Sequence, residues 1–388
     1  MDAVLKPAEA HKLATIELNL FNLAHTVHGV TLEGATIDPG TPIFDPNGEV
    51  LFYRIALKRG AAGAGYADIA AHTLFGEPLL ATAPDAPWDP TALLAQARLA
   101  LKRTHPAATY DNIRFVAFSY PKIAVEFLAN GKEVALLELS SWRQVPPASR
   151  DRKPLEPGNF DRYSLIDESP AEQKREAHAR FEDRLSRLAR VQIPVEASTI
   201  SKATLLPSIG VVSLYDTEEL HYNKLSASHH PCYELRPQET SVWCVAASVQ
   251  MVLDFYRYNY TQTRIAQQLG LGTPSNPNGL PYSRDNDVAV ALHAMSNNSL
   301  TATMLTTPPF SSYVAEIQAN RPMVSFIPGH SRSVAGYTRS IFVILGNTGY
   351  QGLLVYDPWA PNVGRITKWE NFNAQTYRRM FTAHVTTI

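Results

Sequence analysis

Cysteine is nearly absent. The 388-residue chain holds two, Cys232 and Cys244, which excludes a disulfide framework and a Cys-x-x-Cys metal knuckle. A reversible Cys232–Cys244 bridge stays open as a redox lock, although closeness in sequence does not supply the geometry a disulfide needs. A surplus of one charge sign is missing too: the formal net charge is -1, with no dense Lys/Arg stripe. Nucleic acid is therefore not expected as a partner. No apolar run approaches the roughly 18 residues that cross a bilayer, so no membrane span is expected. The start, Met1-Asp2-Ala3-Val4-Leu5-Lys6, lacks the basic and apolar regions of a signal peptide. A secreted or periplasmic protein with its signal removed and a cytoplasmic protein are both compatible with it. What is present is ordinary for a folded chain: 45% hydrophobic and 18% charged residues, at a length for two domains or one large one.

In the first half, Leu13, Ile16, Leu20, Leu23 and Val27 recur at helical spacing, with Glu17 and Asn19 off that face. Strands are expected at 50–58, 66–71 and 79–83. Asp89-Pro90 opens a helix that Pro106 ends. Three strands follow at 113–120, 123–128 and 134–140, the last two joined by the hairpin signal Asn130-Gly131. Residues 1–150 thus read as an α+β accessory domain, a helix on an antiparallel sheet, and this arrangement resembles the PepSY or cystatin-like folds that serve as propeptides. Residues 151–199 read as a proline-rich linker and a charged helix, with Ser169-Pro170-Ala171-Glu172 as its capping box. Its stripe Ala177, Phe181, Leu185, Leu188 is narrow, as for a solvated connecting helix.

The second half, 200–388, is read as helices first and antiparallel strands after, the segregated order of an α+β domain. Here the stretch Gln238-Glu239-Thr240-Ser241-Val242-Trp243-Cys244-Val245-Ala246-Ala247-Ser248 hands a cysteine to the first turn of an apolar helix. Unpaired N–H groups and the positive helix end favour a thiolate there. Gln238 can aim its amide at the oxyanion formed when that thiolate attacks a carbonyl, with the Cys244 N–H as second donor. The bland alternative is an inert buried thiol. The tract His229-His230-Pro231-Cys232 offers no fourth ligand, so no metal is assigned.

A thiolate needs a base, and histidine suits the task. His330 opens a strand in Gly329-His330-Ser331-Arg332-Ser333-Val334-Ala335-Gly336-Tyr337, and Asp357 ends a later strand in Tyr356-Asp357-Pro358-Trp359. Asp357 would fix the histidine's tautomer, and Trp359 would shield that bond. The order Gln238, Cys244, His330, Asp357 resembles the papain-like cysteine peptidases. Trp-Cys-x-Ala-Ala is most similar to their compact bacterial members, the staphopain-type enzymes and the peptidases that trim bacteriocin leaders. The separation of 86 residues between Cys244 and His330 suits that branch better than papain's roughly 130. Val245 departs from the aromatic residue many relatives carry there, which alters a subsite wall. The resemblance implies a papain-like fold of helices followed by an antiparallel half-barrel. It also implies catalysis by Cys244, His330, Asp357 and Gln238, with Trp243 and Trp359 at the substrate, and a protein or peptide substrate with no cofactor. A deamidase or acyltransferase using the same thiol, and a catalytically silent binding protein, are the alternatives. Oligomeric state is not legible.

Overall fold

A computed structural model describes residues 4–24, 32–60, 62–84, 86–147, 153–158, 160–191, 199–201, 212–220, 233–342, 345–346 and 349–386. The architecture is α+β. Eight helices are described: α1 (Pro7–Ala24), α2 (Pro90–Thr104), α3 (Leu165–Glu168), α4 (Ala171–Leu188), α5 (Cys244–Phe255), α6 (Gln262–Gln268), α7 (Asp287–Met295) and α8 (Phe310–Gln318). The first-half strands are β1 (Thr36–Ile37), β2 (Thr41–Phe44), β3 (Val50–Arg59), β4 (Ala62–Ala70), β5 (Leu79–Pro84), β6 (Asn112–Ser119), β7 (Lys122–Ala129) and β8 (Lys132–Glu138). The second half adds β9 (Val212–Glu219), β10 (Gly272–Thr273), β11 (Asn276–Pro277), β12 (Leu300–Thr306), β13 (Met323–Ile327), β14 (His330–Phe342), β15 (Gln351–Asp357), β16 (Arg365–Asn371) and β17 (Arg379–Val385).

The strands do not divide at residues 150 and 200. One sheet runs β12-β17-β13-β14-β15-β16-β5-β4-β3-β2-β6-β7-β8, with β1 on β3 and β9 on β14. The halves join where Trp369 and Glu370 of β16 pair with Thr82 and Ala81 of β5. All described pairings are antiparallel except β2 with β6. The core follows the sheet across the join: Phe342, Leu345, Tyr350 and Trp369 belong to the same buried cluster as α1 and the first-half strands. Gly352 makes room for this, because a Cβ there would lie 1.6 Å from Trp369 Nε1.

Helix α1 departs from the amphipathic expectation. Glu17 and Asn19, read as solvent-facing, are 1% and 0% exposed. Glu17 takes a bidentate hydrogen bond from Arg184 of α4 at 3.0 and 2.9 Å and a hydrogen bond from Tyr350 Oη. Asn19 donates to Thr15 O and accepts from the Ser201 N–H, while Phe21 packs on Tyr350 and Trp369. Val27 lies outside the described residues. Helix α4 likewise carries a buried charge in Arg184, so it is more than a solvated connector. Its expected capping box is not formed: Ser169 Oγ instead donates to Leu165 O, closing α3, and Pro170 sits at the helix start without a side-chain cap. Since Arg184 and Glu17 are both buried, Glu17→Ala leaves a guanidinium uncompensated. The expected loss is about 3–5 kcal/mol, read as a lower urea midpoint with an unchanged slope.

The expected elements near the site are present with shifted ends. Asp89 caps α2 through the Ala92 N–H at 3.0 Å. Strand β14 runs from His330 to Phe342 and is bridged on its far half by β9, for which the sequence carries no local signal. No helix among the described residues is long and apolar enough to cross a membrane.

Candidate active site

Helix α5 begins at Cys244, and ten of its twelve residues are buried. Small residues make this possible: Ala246 and Ala247 are fully buried, and Ser248 Oγ turns back to Cys244 O at 2.8 Å. Ser333 Oγ donates to Ser248 O at 3.2 Å and so stitches α5 to β14. Strands β13 and β14 form a tight hairpin with Ile327 opposite His330. Gly329 takes the left-handed conformation that this turn needs, at φ +64°. That turn delivers His330 to the start of α5, where backbone N–H groups of Ser331 and Val245 face the Cys244 sulfur.

His330 Nε2 is 2.6 Å from Asp357 Oδ1, and the Trp359 backbone N–H donates to the same oxygen at 2.9 Å. Asp357 ends β15, and Arg365 across the β15–β16 pair lies 3.5 Å from its other oxygen. With Nε2 on the carboxylate, Nδ1 is the nitrogen left for proton exchange, and it is buried without a hydrogen-bond partner. The Trp359 ring stands edge-on to the imidazole at 6.5 Å between centroids. The structure therefore brings Cys244, His330, Asp357 and Trp359 together.

Gln238 is also buried. Its Nε2 donates to Thr240 O at 2.7 Å, and its Oε1 has no hydrogen-bond partner. Its backbone is pinned by two bonds to the loop after Asp357: its N–H donates to Pro358 O, and its carbonyl accepts from Asn362 N–H. Trp243 is buried as well. The ring is 0% exposed, sits in the α5–α7 core and satisfies its N–H on Leu271 O at 3.0 Å. Val245 lines a small cavity with Leu280, Tyr282, Gly329 and His330. Cys232 and the His229–Cys232 tract lie outside the described residues.

The charge state differs from the thiolate the helix start suggests. Burial pushes the Cys244 thiol up to about 11, against the opposing pull of Lys122. Burial likewise drives His330 down to about 4, although Asp357 works the other way, with Lys122 and Arg332 adding to the fall. Burial would raise Asp357 too, but His330, Arg365 and Arg332 outweigh it and hold the carboxyl ionised. Both shifts favour the neutral thiol and the neutral imidazole over the ion pair. Burial opposes the helix end here, Cys244 being 1% exposed.

What excludes water comes largely from the first half and the linker. Lys122, at the start of β7, donates to Gly329 O at 3.0 Å and lies 4.9 Å over the Trp359 ring. Phe160 and Phe118 pack on that ring at 5.6 and 6.4 Å. Pro157 crosses the hairpin turn: Tyr282 Oη donates to Pro157 O at 3.0 Å and accepts from Gly329 N–H at 2.7 Å. A Cβ on Gly329 would meet Pro157 Cγ at 2.9 Å. Beside this strap runs a cleft of about 700 Å³, walled by Glu156, Pro157 and Phe160 on one side and Val242, Leu280 and Tyr282 on the other. Sequence reading had no signal for Lys122, since a lysine after Tyr120-Pro121 looks like an ordinary surface turn.

Residues 231–384 match the model of the Peptidase_C39 like family. The match covers less than half of the chain, and of the residues named at the site it leaves out Phe118, Lys122, Glu156, Pro157 and Phe160. It does not reach the segment likened to PepSY or cystatin folds. A search of the curated proteins finds no match. Among solved structures, a double glycine motif protease from an AMS/PCAT transporter, in complex with its leader peptide, is similar at 14% identity and TM-score 0.27. That alignment covers 39% of this chain and 91% of the other. The peptidase domain of Streptococcus ComA, a bi-functional ABC transporter involved in quorum sensing, shares 15% identity at TM-score 0.28, over 40% and 99% of the two chains. UfSP from C. elegans shares 11% at TM-score 0.29, over 44% of this chain and 35% of that one. The segment from 231 to 384, the one that carries Cys244, His330 and Asp357, is thus the part of this α+β protein that is similar to the Peptidase_C39 like family.

Proposed function

We propose that this protein is a cysteine peptidase of papain-like chemistry whose site is held closed by its own first half. The observation that carries the reading is the His330–Asp357 pair at 2.6 Å, with the other imidazole nitrogen buried and the adjacent Ser331 N–H facing the sulfur of a cysteine that starts a helix. In an open site, Cys244 loses its proton to His330 Nδ1 and attacks the peptide carbonyl. The oxyanion is received by the Cys244 N–H and the Gln238 amide, and His330 returns the proton to the leaving amine. Water then releases the acyl group with His330 as base. The thiolate–imidazolium pair forms more readily once solvent reaches the sulfur, because burial is the largest opposing cause for both groups.

The restraint rests on Lys122, Pro157 and Phe160 rather than on α1, whose contacts are with Tyr350, Trp369 and Arg184. Because β16 pairs with β5 and Trp369 is buried in the shared core, a chain shortened to begin near residue 200 would expose that edge. Point variants of the full chain are the better probe.

The test is a peptide-library digest read by mass spectrometry, with the full chain and its Phe160→Ala variant. Chain cleavage that disappears in Cys244→Ala is expected. A mass gain of one unit on glutamine without cleavage would instead assign a deamidase, and an amine adduct an acyltransferase. No Cys244-dependent product of any kind would leave a binding protein.

A further inference from the structure

Lys122 is an unusual group to find in a closed thiol site. Its ammonium is buried, 2% of the residue being exposed, and burial lowers it to about 8 against the pull of Cys244, Asp357, Glu138 and Asp161. Such a group persists only where its surroundings replace water. Here the second half supplies much of that replacement. The Gly329 carbonyl accepts from Nζ at 3.0 Å, and the Trp359 ring face lies 4.9 Å away, well within cation–π range. The same ring and carbonyl flank His330, so the slot adjoins the reacting atoms. The Asp357 carboxylate adds charge from the same side, tempered by Arg365 at 3.5 Å. Trp359 and Ala360 pack with Phe118, Val116 and Ala124 in one apolar cluster. A cavity of about 170 Å³ opens beside it, lined by Lys122, Glu138, Ser140, Trp359, Gly364 and Arg365.

We propose that the Gly329 carbonyl, the Trp359 ring and the Asp357 side of the site form a subsite for an alkylammonium group, that Lys122 is its internal occupant, and that the substrate of the open enzyme presents an amine there. The substrate class is a peptide carrying a lysine side chain or a free N-terminal amine next to the bond attacked. The inference rests on the proposed peptidase reading for the word substrate, but the slot itself can be tested without turnover.

The experiment uses the full chain as wild type, Lys122→Ala and Lys122→Met, titrated calorimetrically with n-butylammonium chloride and with n-butanol. Lys122→Ala is expected to bind butylammonium saturably and at least about tenfold more tightly than butanol, the margin a desolvated cation–π contact supplies. Wild type and Lys122→Met, whose slots are filled, are expected to show no binding. Equal affinity for the two probes, or equal binding by wild type and Lys122→Ala, would overturn the proposal. If Lys122→Ala does not fold, thermal midpoints decide: the slot predicts Lys122→Met below wild type and Lys122→Arg, and Lys122→Met at or above wild type rejects a cation site. Two peptides then separate the sources of the amine, acetyl-Ala-Lys-Ala-amide for a side chain and Ala-Ala-Ala-amide for an N-terminus. Butylammonium binding in a protein that cleaves nothing would keep the slot and sink the peptidase reading, whereas cleavage indifferent to the amine would do the reverse.

Discussion

In the intact chain, Cys244 is expected to react with iodoacetamide slowly from pH 6 to 8, with a rate that climbs as pH approaches about 11, where its thiol ionises. The sign follows from burial. A neutral buried thiol is held neutral, its thiolate fraction grows tenfold per pH unit, and only the thiolate attacks. Phe160→Ala removes the ring that covers Trp359 from the linker side. Ring contacts of this kind are worth about 1.5 kcal/mol, so the closed–open balance should shift about tenfold and neutral-pH labelling with it. Peptide cleavage should rise in the same variant. Labelling of the intact chain that is already fast at pH 6 would mean that the ion pair forms under the strap and that the site is not latent.

The other large effect is expected at the site itself, assayed in the Phe160→Ala background. Cys244→Ala and His330→Ala should abolish turnover, because one removes the nucleophile and the other the proton carrier at the sulfur. Gln238→Ala should cost about 100- to 1000-fold, the range for one oxyanion donor. That prediction requires the Gln238 amide, now turned to Thr240 O, to spare its second hydrogen for the oxyanion. Asp357→Ala should fall between these, since Trp359 packing still limits the imidazole but its tautomer is no longer set by the 2.6 Å bond. Full activity in Asp357→Ala would assign the orienting role to another acceptor.

The second half was the more legible part of this chain. Cys244 precedes a run of small and apolar residues, His330 follows a glycine turn, and Asp357 ends an apolar strand; each is a local pattern that chain geometry turns into a position. The sequence by itself therefore determined where Cys244, His330 and Asp357 fall on their helix and strands. It did not reveal β9, whose pairing with the far half of β14 is a long-range contact with no local signature. Nor could it place Glu17, Arg184 and Tyr350 together, since a charged residue on a helix reads as solvent-facing until a partner 167 or 333 residues away neutralises it. The charge state of the thiol belongs to the same category. A helix start predicts a thiolate in water, but Lys122, Phe118, Phe160 and Pro157 reach the site from residues read as an accessory domain and a linker. Their arrival removes the water. Desolvation, a property of packing that no stretch of sequence expresses, then opposes the helix dipole, and it is the tertiary structure that pushes the thiol toward its protonated form.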